Sequence, residues 1–300
     1  MKKVSVLILK CIFFACIVAY LIHSGALSMH ALRHAMHFSI LGPACLLLSC
    51  GTLLCAYRWH LLLGTGTYWQ ALRLSLIGNF FNFTLPGAVT GDVMKIYALG
   101  KKSLPSIILD RLLGLMALVW ISLSMSLMRL HAPYVQHFVL PVALPVALGM
   151  CLGLVSIFLP DRLDPCLYLR FPKKLLGLYR QIKAYREKPL VLASAFFLAL
   201  SVQLIAALVC YILASGVGGY VTLQDAFLMA PLGFLATAIP LAPGGLGTGN
   251  AAFLLLFEAV GSQRGADVYS IIACLNISLS LPGAWLAMRS PHRATSSIPA

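Results

Sequence analysis

Two proline–glycine interruptions lie inside sequence that is otherwise as hydrophobic as a membrane span, one in each half of the chain. They occupy Leu85–Asp92 and Ala242–Asn250, and each runs from Pro-Gly through Thr-Gly to Asp or Asn. Irregular backbone is tolerated at membrane depth only where protein buries it or it lines a wet cavity, because lipid offers no hydrogen-bond partners. A matched pair of interrupted segments is typical of a substrate site in a membrane transporter.

Composition excludes a soluble domain. Of the 300 residues, 60% are hydrophobic and 10% are charged, whereas a soluble domain carries about 25% charged residues. We predict an all-α polytopic membrane protein with about 6–8 transmembrane helices and two broken, re-entrant segments, since about 20 helical residues cross the hydrocarbon core. The windows long enough to span are Val4–Ile22, Phe38–Tyr57, Ile107–Met128, Phe138–Leu159, Leu190–Ala214 and Val268–Met288.

The basic residues predict how these helices are oriented. With the amino terminus in the cytoplasm, only Arg33, Arg129 and Arg264 of the 22 Lys and Arg residues fall outside. This is the positive-inside pattern, and it predicts cytoplasmic amino and carboxyl termini. The net charge of +14 therefore reflects topology, and it does not indicate a nucleic-acid partner.

The chain is predicted to form one membrane domain over residues 1–289, with a disordered tail over 290–300. Basic residues bracket the first interruption, so the segment from about 69 to 100 is predicted to enter and leave on the same side. A second re-entrant segment is predicted over about 225–261. The polar stretch 160–189 is predicted to be a basic cytoplasmic loop.

Three of the eight acidic residues, Asp92, Asp110 and Glu258, lie in or near apolar sequence. A charge at the bilayer centre costs about 2.5–3.5 kcal/mol, so such residues usually pair or face water. Adjacent helical residues point about 100° apart, so Asp110 and Arg111 are each expected to find a partner elsewhere, with Asp92 and Lys95 as candidates. Arg111 or Lys95 could hold a lipid phosphate, or an ion pair could simply orient the re-entrant hairpin.

Asp92 and Asn250 each follow a glycine where a helix is predicted to begin. Asp92 could cap a helix that starts near Val93. Helix amino termini attract anions, so two such termini would suit a phosphate-bearing headgroup. Glu258 lies eight residues after Asn250 on nearly the same helical face, either as the acid of that pocket or as a helix-packing contact.

The interruptions and the nearby charges together define the predicted substrate-binding residues. No phosphate loop, His-Glu-x-x-His or Gly-x-Ser-x-Gly motif occurs in the sequence, and neither does a Cys-x-x-Cys pair. The sequence therefore predicts no enzyme activity, no metal site and no cofactor. The predicted site residues are Asn79, Asn82, Pro86, Gly87, Gly91, Asp92, Lys95, Asp110, Arg111, Pro243, Gly244, Gly245, Gly247, Asn250 and Glu258.

Seven short motifs follow one another along the chain: Arg58-Trp59, Gly78-Asn79-Phe80, Leu85-Pro86-Gly87, Gly91-Asp92, Leu109-Asp110-Arg111, Gly114-Leu115 and Pro243-Gly244-Gly245-Leu246-Gly247. In this order and spacing they resemble the lysylphosphatidylglycerol synthase transmembrane-region family, also called the flippase-like domain family. The similarity extends roughly from the second helix to the last span.

The resemblance implies a bacterial or archaeal integral membrane protein, and we expect this chain in the bacterial inner membrane. In the best-understood members this region moves a modified phospholipid between leaflets and is fused to a soluble domain that attaches the amino acid. That domain is not encoded in these 300 residues, so we do not expect this chain to synthesise lysylphosphatidylglycerol. Asp92, Asp110 and Arg111 match the family by position, whereas Lys95 replaces a common arginine and Asn250 a frequent acid.

These observations lead to the hypothesis that the protein translocates a polar, aminoacylated or glycosylated lipid between leaflets. Its partners would then be a phospholipid or lipid-linked substrate and a lipid-modifying enzyme. An ion-coupled small-solute transporter is an alternative, because Asp110 or Glu258 could carry a proton. A second alternative is a non-transporting accessory subunit of a lipid- or glycan-modifying enzyme.

Overall fold

A computed structural model describes His23 and residues 37–84, 89–158, 173–238 and 245–288. All regular structure in these ranges is helical, which confirms the predicted fold class. Short 3₁₀ segments cover Lys101–Ser103 and Ala184–Glu187, and a π-helical turn covers Val135–Val139. The α-helices are α1 (Phe38–Leu63), α2 (Tyr68–Thr84), α3 (Thr90–Leu99), α4 (Leu104–Leu127), α5 (Leu140–Phe158), α6 (Lys173–Lys183), α7 (Pro189–Gly216), α8 (Leu223–Thr237), α9 (Thr248–Glu258) and α10 (Gly265–Met288).

Four of the described helices are long and apolar enough to cross a membrane, namely Ser39–Leu63, Lys101–Leu127, Pro189–Gly216 and Gly265–Met288. Each coincides with a span predicted from the sequence. The protein is thus a multi-pass membrane protein. The predicted first span Val4–Ile22, the tail 290–300 and much of the basic loop lie outside the described residues.

The first interruption separates two helices that pack against each other, α2 and α3, here called hairpin 1. Their backbones approach at Gly78 and Gly91, where a Cβ added to Gly91 would collide with the Gly78 carbonyl. The Asn82 Oδ1 atom accepts a hydrogen bond from the Gly91 N–H at 2.7 Å. An amide on α2 therefore satisfies one of the free N–H groups at the start of α3.

The second interruption separates α8 and α9, here called hairpin 2, which also pack together. α8 begins with a capping box in which the Thr222 and Asp225 side chains satisfy each other's backbone N–H groups. Gly233 allows close contact, since a Cβ there would collide with the Phe253 ring of α9. The same ring also packs on Phe234 and Tyr269.

The two hairpins open toward opposite ends of α4. Hairpin 1 ends at Gly100, and the segment Lys101–Ser103 leads from there directly into the start of α4. The base of hairpin 2 instead contacts a residue just beyond the end of α4, where Arg129 pairs with Asp225 at 3.4 Å. The open ends of the two hairpins therefore lie at opposite ends of a helix that is long enough to cross a membrane.

Both hairpins pack on one face of α10. A Cβ at Gly265 would collide with the Phe253 carbonyl in hairpin 2, and one at Gly283 would collide with the Leu76 carbonyl in hairpin 1. Eighteen residues separate the two glycines, which at 3.6 residues per turn is five full turns. The half-buried Asn276 lies on the same face, between the two contacts.

Candidate functional site

Five charged side chains from α1, α3 and α4 gather beside hairpin 1. The Arg58 Nε atom lies 2.6 Å from the Asp110 carboxylate. Arg111, the next residue on α4, forms an ion pair with Asp92. The Lys95 Nζ atom lies 3.9 Å from the same Asp92 carboxylate. We call these five residues the charge cluster.

Each helix contributes to the charge cluster from the part nearest one end of the bundle. Arg58 is close to the end of α1, Asp92 is in the first turn of α3, and Asp110 and Arg111 are in the second turn of α4. Asp110 and Arg111 were expected to find separate partners, and each of them pairs with a residue on another helix. The predicted pair between Arg111 and Asp92 is present, but Asp110 pairs with Arg58 instead of Lys95.

Lys95 is held by an aromatic ring as well as by Asp92. Its Nζ atom lies 4.3 Å from the centre of the Trp59 ring, which is a cation–π distance. Trp59 is fully buried, and its Nε1 atom has no hydrogen-bond partner among the described residues. A buried indole without a partner is uncommon, and here it borders the most highly charged part of the described interior.

The charge cluster carries three bases and two acids, so its ion pairs leave one unit of positive charge. Arg58 and Asp92 are largely buried, with side chains 7% and 10% exposed. Arg111 is 39% exposed and forms the accessible edge of the cluster. The surplus positive charge at this accessible edge can attract an anion with several oxygen acceptors.

The prediction that Asp92 caps a helix beginning near Val93 is wrong. α3 begins three residues earlier, at Thr90, and Asp92 lies inside its first turn. Its carboxylate is directed to Arg111 and Lys95, and Asn82 supplies a side-chain acceptor for the start of α3 instead. The acid was misassigned because a capping residue on another helix cannot be recognised from local sequence.

The asparagines of hairpin 1 differ in their contacts. Asn82 accepts from the Gly91 N–H, and the Thr90 hydroxyl lies 3.4 Å from the same oxygen. Asn79 is half-buried on the preceding turn. Pro86 and Gly87 lie outside the described residues. The described residues around the first interruption therefore include the Asn82 hydrogen bond, the close contact between Gly78 and Gly91, and the charge cluster.

The second interruption forms a neutral set of contacts on α10. Asn250 is 6% exposed, and its Oδ1 atom accepts from the Gly247 N–H at 3.0 Å. Its amide group donates to the Ser270 hydroxyl at 2.6 Å and the Ala266 carbonyl at 3.2 Å. Gly245 has a φ of +71°, the left-handed region that favours glycine. Asn250 thus holds the start of α9 against α10 through uncharged groups.

Glu258 does not join Asn250 in one pocket. It is exposed at the last residue of α9, whereas Asn250 is buried near the first. The predicted shared pocket of two helix starts is not formed by these side chains, because Asp92 belongs to the charge cluster and Asn250 packs on α10. Pro243 and Gly244 lie outside the described residues.

A smaller polar group joins the base of hairpin 2 to the loop after α4. Arg129 pairs with Asp225, and the Tyr134 hydroxyl donates to the same carboxylate at 3.4 Å. Burial raises the pKa of Tyr134, and the negative charge of Asp225 raises it further. Arg264 and Asp267 form another pair at the start of α10. Arg129–Asp225 and Arg264–Asp267 are each neutral pairs, and the exposed Glu258 at the end of α9 belongs to neither of them.

Sequence reasoning missed Arg58 and Trp59 as parts of the site. The dipeptide is one of the recognised motifs, but the sequence alone assigned it no partner. Arg58 and Asp110 are 52 residues apart, and Trp59 meets Lys95 only because α1 packs near hairpin 1. In the described ranges, no group of three or more His, Cys, Asp or Glu residues is placed to hold a metal ion.

The sequence of this chain was compared with protein families, curated proteins and solved structures. No curated protein and no solved structure matches the chain. The family model described as "Lysylphosphatidylglycerol synthase TM region" matches residues 7–279, which include both hairpins and every residue of the cluster. This match confirms the resemblance found in the sequence. The chain belongs to the lysylphosphatidylglycerol synthase TM-region family.

Proposed function

We propose that this protein translocates a lipid with a phosphate-bearing polar headgroup between the leaflets of a bacterial inner membrane. The observation that carries the proposal is the charge cluster, where three bases meet two acids beside a re-entrant hairpin. Membership in a family named for a lipid-modifying synthase supports a lipid substrate. We further propose that the chain itself catalyses no reaction.

The headgroup would bind at the exposed edge of the cluster. The Arg111 guanidinium presents several N–H donors, and its Nε atom is already directed to Asp92. A phosphate can accept two parallel hydrogen bonds from such a group. Binding would neutralise the surplus charge without separating Arg58 from Asp110. Lys95 would contribute charge from the Trp59 side of the cluster.

The opposite directions of the two hairpins support movement across the membrane. Re-entrant segments that approach from both sides can expose one site alternately to each side, as in transporters built with inverted halves. The sequence has no nucleotide-binding motif. Movement would therefore follow a lipid gradient, an ion gradient or removal of the product by a partner enzyme.

The test is leaflet exchange in liposomes that contain the purified protein and fluorescent phospholipids or lipid-linked sugars. We expect exchange by the native protein and at least about a tenfold loss in Arg111→Gln, equivalent to about 1.4 kcal/mol of lost headgroup binding. Arg111→Lys keeps the charge but not the paired donors, so it should retain an intermediate rate. Lys101→Gln removes an exposed charge in the segment before α4 and serves as the matched control.

Stability separates a binding role from a structural one. If Arg111 only orients hairpin 1, Arg111→Gln should lower the melting temperature in detergent. Exchange should then recover when Asp92→Asn removes the acid that has lost its guanidinium partner. Under the proposal, the double variant still exchanges slowly because the anion site is gone. No exchange of any lipid by the folded native protein would refute translocation.

The small-solute and accessory-subunit alternatives make different predictions in the same liposomes. Proton-coupled uptake would require Asp110 or Glu258, so Asp110→Asn and Glu258→Gln would abolish gradient-driven solute entry. An accessory subunit would show no transport, but would co-purify with a lipid-modifying enzyme.

We propose cytoplasmic termini from the distribution of basic residues. In that orientation the charge cluster would lie near the cytoplasmic leaflet.

A further inference from the structure

An apolar groove runs along α4 and α7 on the surface of the bundle. Two cavities of about 360 and 390 Å³ share Trp120 and Phe196, and together they form this groove. Its α7 wall extends from Pro189 to Leu204, which is about 22 Å at 1.5 Å per residue. α5 contributes further lining through Cys151. We call it the α4–α7 groove.

The α4–α7 groove is distinct from the charge cluster. Trp120 and Arg111 are nine residues apart on α4, which at 100° per residue places them on opposite faces. A lipid bound to Arg111 and a ligand in the groove would therefore lie on opposite faces of α4. Both walls belong to helices long enough to span a membrane, and no other described residue covers the groove.

One end of the α4–α7 groove carries surplus positive charge. Pro189 lines this end, and the exposed Lys188 precedes it. Arg186 and Glu187 lie in the 3₁₀ segment that contacts α5 and α7. The preceding helix α6 has basic but no acidic residues. The groove is therefore apolar along its length and basic at one end. An anionic lipid has the complementary chemistry, with apolar acyl chains and a negatively charged headgroup.

We propose that the α4–α7 groove binds an anionic phospholipid, with an acyl chain along Trp120 and Phe196 and the phosphate near Lys188. This site goes beyond the proposed translocation, because the lipid would be a bound component of the fold. A basic residue at a membrane surface contributes about 1 kcal/mol to binding of anionic lipid. Lys188 thus gives the groove a preference for negatively charged headgroups.

Bulky lining distinguishes a lipid chain from a transmembrane helix as the occupant. Helices that associate in membranes bring small residues together, because close backbone approach supplies the packing energy. Most residues that line the α4–α7 groove are instead bulky, among them Trp120, Phe196 and Leu204, and the small ones are Ser124, Cys151 and Ala193. A flexible acyl chain fits between such side chains, whereas a helix about 10 Å wide would rest on top of them.

Quenching of Trp120 by brominated lipids tests the proposal, since bromine quenches indole fluorescence on contact. The protein is reconstituted with phosphatidylglycerol or phosphatidylcholine brominated in mid-chain, and the signal of Trp120→Phe is subtracted to isolate Trp120. We expect stronger quenching by brominated phosphatidylglycerol at equal mole fraction. Lys188→Gln should reduce the ratio of the two association constants about fivefold. Lys101→Gln, another exposed lysine, should leave it unchanged.

Two outcomes would overturn the proposal. Equal quenching by both lipids in the native protein would mean that the groove meets only bulk lipid and selects no headgroup. Absence of quenching by either lipid would mean that protein, such as a second copy of this chain, covers Trp120. Neither result depends on leaflet exchange, so this site and the proposed translocation can fail separately.

Discussion

The two hairpins share a backbone plan but differ in the chemistry that holds them. Each breaks after its first helix and restarts with a polar residue at the third position of the second helix, Asp92 in hairpin 1 and Asn250 in hairpin 2. Asp92 pairs with cations from two helices, whereas Asn250 makes only neutral hydrogen bonds. Similar sequence patterns therefore build one charged site and one structural junction.

This difference shows where the molecule retains unbalanced charge. Two ion pairs lie at the base of hairpin 2, Arg129–Asp225 and Arg264–Asp267, and each pair has no net charge. The charge cluster at hairpin 1 keeps an extra cation in a largely buried setting. Buried charge is costly unless it is paired, so an unbalanced group is the better indication of a ligand. Hairpin 1 is thus the functional candidate, whereas the interruption in hairpin 2 is held by neutral hydrogen bonds.

The largest expected effect is on the ion pair that supports hairpin 1. Asp110→Ala leaves Arg58 buried without its carboxylate, and should lower the free energy of unfolding by about 3–5 kcal/mol. Unfolding by titration with SDS in mixed micelles measures this change. Replacing both residues in Arg58→Leu/Asp110→Leu should recover much of the loss. A single-variant loss below about 1 kcal/mol would mean that the pair is solvated like a surface pair.

A glycine in each hairpin tests how tightly its helices are packed. Gly91→Ala meets the Gly78 carbonyl, so the helices must separate, and overpacking of this kind costs about 1–3 kcal/mol. Gly249→Ala meets the buried Tyr269 ring, which is a side chain and has more freedom to shift than a backbone carbonyl. We expect the first variant to show the larger fall in melting temperature. The reverse order would contradict the tighter backbone contact assigned to hairpin 1.

An acid at Asn250 tests whether hairpin 2 tolerates charge. In Asn250→Asp the carboxylate faces the Ala266 carbonyl and loses a donor, which should cost about 1–3 kcal/mol. Ser270→Ala removes one acceptor of the same amide and should cost about 1 kcal/mol. Both changes are measured by SDS titration. An unchanged or raised stability of Asn250→Asp would show that a cation reaches this position.

The smallest expected effect is at the exposed pair beside hairpin 2. Arg129 is about one-third exposed, so Arg129→Gln should lower stability by about 0.2–1 kcal/mol. Salt screens exposed charges, so the difference between this variant and the native protein should shrink as sodium chloride is raised. A salt-independent loss would show that the pair is shielded from water. The ion pairs at the two hairpins would then not differ in their exposure to water.

Much of the fold could be predicted because its causes are local. Apolar length identifies the spans, and glycine and proline identify the interruptions, since lipid allows few alternatives to a continuous helix. The pairing of Arg111 with Asp92 was predictable because few acids and bases occur in apolar sequence. The start of α3 was misjudged by three residues, because Asn82 on the preceding helix provides the hydrogen bond there.

The sequence by itself determined the membrane class, the positions of the two hairpins and the pairing of Asp92 with Arg111. Only the tertiary structure decided that Arg58 neutralises Asp110, that Trp59 holds Lys95, and that both hairpins share one face of α10. The physical reason is separation along the chain. Hydropathy and helix breaks act over a few residues, whereas ion pairs and glycine contacts between helices depend on how distant segments pack.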